Sequence, residues 1–204
     1  MRFLNVAAVL IAMMSMLAGG CSTSPRASFY TLSPMAPSAS SSSESAPVAV
    51  QPPPLRVMID AITVPELVER PQFVLRTGAT QVTIDEFARW ADPLRSQISR
   101  VLAANLSQLL PGALVSGYAQ APDSPDAYRV RIDVQSFESA PGEMATIAVL
   151  WSVRPPKGAA VTGRTIAHEP VSAAGYDALV DAHSRALAKL SGDIADAIRL
   201  AARQ

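Results

Sequence analysis

A single cysteine among 204 residues leaves no partner for a disulfide within the chain. The fold must therefore hold by its core alone, even in an oxidising compartment. Histidine is nearly as scarce: His168 and His183 are too few and too separated to suggest a metal site. The sequence contains no phosphate loop, CxxC, HExxH or glycine fingerprint. Asp181, His183 and Ser184 have the residue types of a hydrolytic triad. On a helix, however, His183 projects about 200° away from Asp181, so the three form no relay, and His183 falls beside an apolar stripe as a packed or half-exposed residue. No enzymatic activity, catalytic residue, metal ligand or free cofactor is expected.

Charge of one sign is missing as well. Seventeen Lys and Arg balance seventeen Asp and Glu, with no basic patch of the kind a nucleic acid requires. Aromatic residues make up 5% of the chain, so Trp90 and Trp151 stand out. Half of the residues are hydrophobic, enough for a core, although many are alanines that bury little area. The long apolar run at the start, Phe3 to Leu17, falls short of the ~20 residues that span a bilayer.

That run has the anatomy of an export signal: Arg2 as the basic n-region, Phe3–Leu17 as the apolar h-region, Ala18-Gly19-Gly20 as small residues before a cut. Cys21 directly after them makes the pattern a lipobox. An ordinary secretory signal with a chance thiol is the plainer alternative. The one cysteine of the chain falling at this position favours lipidation. Residues 1–20 then read as the signal peptide, and Cys21 as the site of diacylglycerol and N-acyl attachment. Acyl burial at about 0.8 kcal/mol per CH₂ over several chains makes such an anchor nearly permanent. Loss of Arg2 leaves the mature chain at a formal charge of −1. Residue 22 is serine, not the aspartate that retains lipoproteins in the inner membrane of Gram-negative cells, which favours the outer membrane.

Residues 21–28 read as lipidated terminus and tether. Phe29-Tyr30-Thr31-Leu32 is an island of strand formers, and Ser33–Pro54 a low-complexity Ser/Pro stretch that cannot offset its ordering entropy by burial. Docking of the island in the sheet would leave a tether of seven residues, at most ~25 Å. Otherwise the whole Ser22–Pro54 stretch is free, a coil of about 30 Å.

Beyond it, Leu55 to Val64 predicts a strand with Leu55, Val57, Ile59 and Ala61 inward and Arg56, Met58 and Asp60 outward. Phe73–Arg76 and Gln81–Ile84 flank Thr77-Gly78-Ala79 as a hairpin. Asp92 as N-cap and Pro93 as first helical residue open a helix whose stripe is Leu94, Ile98, Val101, Leu102, Leu106 and Leu109. Pro111-Gly112 ends it. Trp90 reads most simply as a staple on the first helical turn, with a partner contact as the sharper alternative. Leu114-Val115 suggests a short strand. Tyr128–Gln135, Met144–Val153 and Val161–Ala167 form an antiparallel meander; its arginines fit a headgroup site or a solvated face equally. A long helix from Tyr176 to Ala202 carries Leu179, Val180, Leu187, Leu190, Ile194 and Ile198. The fold class is α+β: one domain, a mostly antiparallel sheet and two amphipathic helices.

The lipobox, Phe29-Tyr30-Thr31-Leu32, Ile62-Thr63-Val64-Pro65-Glu66, Trp90-Ala91-Asp92-Pro93-Leu94, Asn105-Leu106-Ser107, Leu110-Pro111-Gly112 and Gly175-Tyr176-Asp177 occur in one order. In this they resemble the PqiC family of ABC-type transport auxiliary lipoproteins, across residues 29–204. The resemblance implies an outer-membrane lipoprotein facing the periplasm that serves as a docking piece for an MCE-domain (PqiB-like) partner carrying lipid between membranes. It brings no catalytic residues; what transfers is Cys21 as lipid site and Trp90 with its cap as a family feature. A lipid carrier with its own cavity and a purely structural envelope lipoprotein are the competing readings, and a homo-oligomer is compatible with all three.

Overall fold

Strict alternation of apolar residues in the last third of the chain produces three long strands side by side, and the rest of the sheet grows from the first of them. The structure, a computed structural model, describes residues 25–36, 54–117 and 125–203. Cys21 and most of the Ser/Pro-rich stretch lie outside these. The described elements are β1 (Ser28–Tyr30), β2 (Arg56–Thr63), a 3₁₀ turn (Glu66–Val68), β3 (Gln72–Arg76), β4 (Val82–Trp90), α1 (Leu94–Leu109), β5 (Leu114–Ser116), β6 (Ala127–Ala140), β7 (Met144–Arg154), β8 (Val161–Pro170) and α2 (Tyr176–Ala201).

The eight strands form one open sheet in the order β1-β4-β3-β6-β2-β5, with β7 and then β8 on the other side of β6. The meander β6-β7-β8 and the hairpin β3-β4 are antiparallel and supply most of the ladder. β2 pairs in parallel with both β5 and β6, and β1 with β4. The fold is thus α+β, mostly antiparallel, with two described helices. α2 lies on β7, β8 and α1, while α1 lies on β2 and β5.

Two strands contain a phase change that alternation alone does not reveal. In β2 the pairing with β6 skips Asp60. This bulge turns Ile62 toward the core and Ala61 outward, reversing the expected inward position of Ala61. Met58, expected outward, is also buried. In β6 the ladder to β7 skips Gln135, so that Val130, Ile132 and Val134 and then Phe137 and Ser139 all point into the core. β4 runs to Trp90, well past the expected Ile84, through an irregularity at which the Asp85 carboxylate accepts the amides of Phe87 and Ala88.

Helix α1 also begins one residue later than expected. Pro93 has an extended ψ of 132° and occupies the cap position itself, its carbonyl accepting the amides of Ser96 and Gln97. Asp92 contributes no side-chain cap; its carbonyl accepts Gln97 Nε2 at 3.0 Å. The Phe29–Leu32 island docks. Tyr30 pairs with Trp90, and Leu32 is fully buried. Residues 33–35, counted as low-complexity, are tied down as well: Ser33 N donates to Ser184 Oγ of α2, and polar side chains along α1 take the backbone groups of Leu32 and Met35. Gln97 Oε1 accepts Leu32 N (2.7 Å), Arg100 donates to Leu32 O, Asn105 Oδ1 accepts Met35 N (2.8 Å) and Gln108 donates to Met35 O.

Gly163 permits a close approach across the meander. It faces Trp151 on the adjacent strand, and a Cβ there would lie inside the van der Waals surface of the indole. The indole lies across the backbone and donates from Nε1 to Thr165 Oγ1 (3.0 Å), which in turn donates to Asp193 of α2. Gly163→Ala is expected to destabilise the fold by about 1–3 kcal/mol, the usual cost of overpacking. In a Trp151→Ala background the same substitution should cost far less. A double-mutant cycle by chemical denaturation tests this, and equal costs in both backgrounds would refute the steric account.

Candidate interaction surfaces

The side chains with catalytic residue types are not assembled. His183 is fully buried, stacks on Phe137 at 3.9 Å between centroids and shares a hydrogen bond of 2.8 Å with Ser139. Ser184 Oγ donates to Val180 O and accepts Ser33 N, so it is spent on the backbone. Asp181 points to solvent. His168 sits on an exposed strand face within 3.1 Å of Thr146 Oγ1. Among the described residues no three His, Cys, Asp or Glu side chains are grouped to hold a metal ion. Trp90 is 5% exposed, with Phe73 stacked at 4.1 Å and Phe137 edge-on at 6.1 Å.

Two surfaces stand out among the described residues. The first lies on the meander and follows from the two-residue period of β7 and β8. Ala145, Ile147, Val149 and Val153 of β7 and Ala167 of β8 face the helices. The opposite parity places Met144, Ala148, Leu150 and Ile166 outward, with Leu150 42% and Ile166 50% exposed. Ala148 is the direct cross-strand neighbour of Ile166, and Arg164 that of Leu150. An open groove of about 810 Å³ adjoins this strip at Leu150, lined also by Ala61, Ile132, Arg131, Asp133 and Arg164. Arg129, on the same strand as Arg131, is instead engaged by Asp60 at 3.0 Å. Met144–Val153 is the more apolar strand of the meander. Apolar residues at both parities of one strand are the signal that its outer face is more than a solvated surface.

The second surface lies beside β1. Phe29 pairs in register with Arg89 and is 64% exposed. It borders a cavity of about 450 Å³ together with Arg70, Trp90, Pro93 and Arg95. Phe87, two residues before Arg89, is also exposed.

The long helix serves as a ruler between them. Tyr176, its first residue, touches the rings of Tyr30 and Phe73 and donates its hydroxyl to Asp85. Asp193, seventeen residues on, meets the Thr165–Trp151 pair beside the groove. At 1.5 Å per residue the two levels are ~25 Å apart.

Fold and surfaces define a single α+β domain that presents faces for contact and, among its described residues, no assembled reaction centre. The family described as ABC-type transport auxiliary lipoprotein component matches residues 30–195, and the chain belongs to it. That family is a transport accessory, not an enzyme family. Two crystal structures share the fold. One, of an uncharacterized protein, is 24% identical with a TM-score of 0.69, covering 85% of this chain and 99% of the other. The second, a Xanthomonas campestris protein of the DUF330 family, is 15% identical with a TM-score of 0.61, covering 87% and 100%. No curated protein matches the chain.

Burial of His183 has a measurable consequence. Loss of hydration pushes its pKa from 6.5 down to about 3. The unfolded chain therefore takes up a proton near pH 6.5 that the folded chain refuses until about pH 3. The stabilisation is complete above 6.5 and is lost as pH falls, with a slope approaching about 1.4 kcal/mol per pH unit. Asp85, held low by Tyr176 and backbone amides, contributes only at lower pH. So does Glu169, where Lys189 and Arg185 outweigh burial. Denaturation curves between pH 6.5 and 5.5 should show the loss in the wild type and a markedly flatter profile in His183→Gln. Identical slopes would exclude His183 as its source.

Proposed function

We propose that the chain is the lipid-anchored, non-enzymatic docking subunit of a lipid transport system between the inner and outer membranes. Cys21, carrying diacylglycerol and an N-acyl chain, holds it on the periplasmic face of the outer membrane, and an MCE-domain protein of the PqiB type is its partner. The transport-auxiliary role follows from the family.

The distance of the groove from the anchored end, measured along α2, supports the docking role. The anchored terminus enters at the Tyr176 end, and the apolar groove lies ~25 Å along the helix, where an incoming partner meets it unobstructed by the tether. An apolar strip beside Arg131, Asp133 and Arg164 suits a protein contact, with the apolar centre supplying affinity and the charges register. A carrier needs a lipid-sized interior instead. Here the space between helices and sheet is filled: Ile98, Leu102, Leu106, Leu187, Leu190 and Ile194 are all fully buried.

A photo-crosslinking residue at Ile166, introduced into the full-length protein in cells, should capture an MCE-domain protein from solubilised envelopes. Leu150→Asp should abolish capture while leaving the melting temperature within a few degrees, since the position is already exposed. Cys21→Ser should abolish acylation, read by mass spectrometry as loss of the lipid mass from the N-terminal peptide. Recovery of stoichiometric lipid without protein would favour the carrier. Recovery of neither would reduce the molecule to a structural envelope lipoprotein.

A further inference from the structure

The surface beside β1 is not used by the docking role, yet it is the part of the domain nearest the proposed anchor. We propose that this face, built from Phe29, Phe87, Arg70, Arg89 and Arg95, rests on the headgroup layer of the bilayer that holds the lipid on Cys21. The inference depends on the anchored reading of Cys21 given above.

Three observations choose a lipid surface as the occupant. The first is chain length. Seven residues, 22–28, separate Cys21 from Phe29, and fully extended they span at most ~25 Å. Because β1 is paired to β4 and Leu32 is buried, this limit applies to the folded domain and not to a loose tail.

The second is shape. Phe29 and Arg89 are register partners on neighbouring strands. Ala88 and Trp90 turn inward, so Phe87 and Arg89 turn outward with Phe29. Two exposed phenylalanines on neighbouring strands at the edge of a sheet match the interfacial region, which accepts aromatic rings at its apolar boundary.

The third is charge. Arg89 is 3.6 Å from Glu86, and Arg95 is paired with Glu69. Arg70, by contrast, has a buried Nε with no hydrogen-bond partner. Asp92 also borders the cavity. The cationic and anionic groups nearly balance, so coulombic attraction to anionic lipid contributes little and ring insertion supplies the contact. Association of this face with the bilayer should then be almost indifferent to salt, unlike that of a polybasic patch.

Acylation consumes the thiol of the chain's one cysteine, so a second cysteine can be labelled alone. Full-length lipoprotein carrying Phe87→Cys or Leu200→Cys is labelled with an environment-sensitive fluorophore. It is then reconstituted in phosphatidylethanolamine–phosphatidylglycerol vesicles containing headgroup spin-labelled lipid. Leu200 is exposed and lies 24 residues beyond Tyr176 on α2, ~36 Å along the helix. The label at 87 should be quenched several times more strongly than that at 200, equally at low and high salt, and adding Phe29→Asp should reduce the difference. Equal quenching at both positions, with mass spectrometry confirming acylated Cys21, overturns this inference and leaves the anchor intact. An unmodified Cys21 overturns both. Protection of the label at 87 from an aqueous quencher without headgroup quenching would assign the face to a protein contact and overturn the lipid assignment.

Discussion

Phe73 is the point on which the first strand, the β3–β4 hairpin and the start of the last helix converge. Its buried ring stacks on Trp90 and meets Tyr30 and Tyr176 edge-on, at centroid distances between 4.1 and 5.4 Å. Tyr30 and Tyr176 also touch each other. These four rings come from the first strand, the central hairpin and the start of the last helix, so one cluster joins segments up to 146 residues apart in the sequence. Each such pair contributes about 0.5–1.5 kcal/mol beyond area burial. Their sum approaches what a disulfide would supply, in a chain with only one cysteine. The Tyr176 hydroxyl reinforces the cluster by donating to Asp85, which keeps that phenol protonated far into the alkaline range through burial and the neighbouring carboxylate. Without the cluster, β1 would be three residues of edge strand held by a short parallel ladder, which is marginal at best.

Amide side chains continue what the rings begin. After β1 the chain leaves the sheet, and its backbone groups need partners. Gln97, Arg100, Asn105 and Gln108, recurring every third to fifth residue on α1, supply them as a strand would. Gln97 and Asn105 are completely buried, and Asn105 Nδ2 reaches Ser191 on α2 at 3.1 Å. The same side chain therefore bonds both the N-terminal segment and the second helix. An apolar replacement would leave a buried amide unpaired, at a cost of about 1–3 kcal/mol.

Much of this architecture was legible from pattern. The meander, the hairpin, both helices and their stripes follow from periods of 2 and 3.6, and all six apolar positions assigned to the stripe of α2 are buried. What escaped has an identifiable physical cause. A bulge adds a residue without changing composition, so nothing at Asp60 or Gln135 announces the phase reversal beyond it. The parallel pairing of β2 with β6 joins strands that sequence order separates by two helical or hairpin units, and periodicity has no information about such neighbours. Gln97 and Asn105 did leave a trace, because they lie on the apolar stripe of α1 at positions where a solvated side chain would be out of place. Of the candidate surfaces, the groove was foreshadowed only by the apolar excess of β7. Trp90 drew attention for its rarity, and the structure puts its ring in the core.

The docked first strand has its largest effect on reach. With β1 free, the proposed lipid would hold the domain through a tether of more than thirty residues, and the groove could sit anywhere within a range of about 100 Å. With β1 paired to β4 and the following residues bonded along α1, the Ser/Pro-rich segment connects two anchored elements and drops out of the tether. Seven residues remain, ~25 Å at full extension. The filled interior then transmits position along α2, so that the groove stands ~25 Å above the tethered end with little freedom to move relative to it. A diffusing carrier gains nothing from such restriction. A docking piece does, because holding one face at a nearly fixed height raises its effective concentration for a partner approaching across the gap. The aromatic cluster around Phe73 thus acts at a distance from the groove: in the anchored reading it turns a long leash into a short mount.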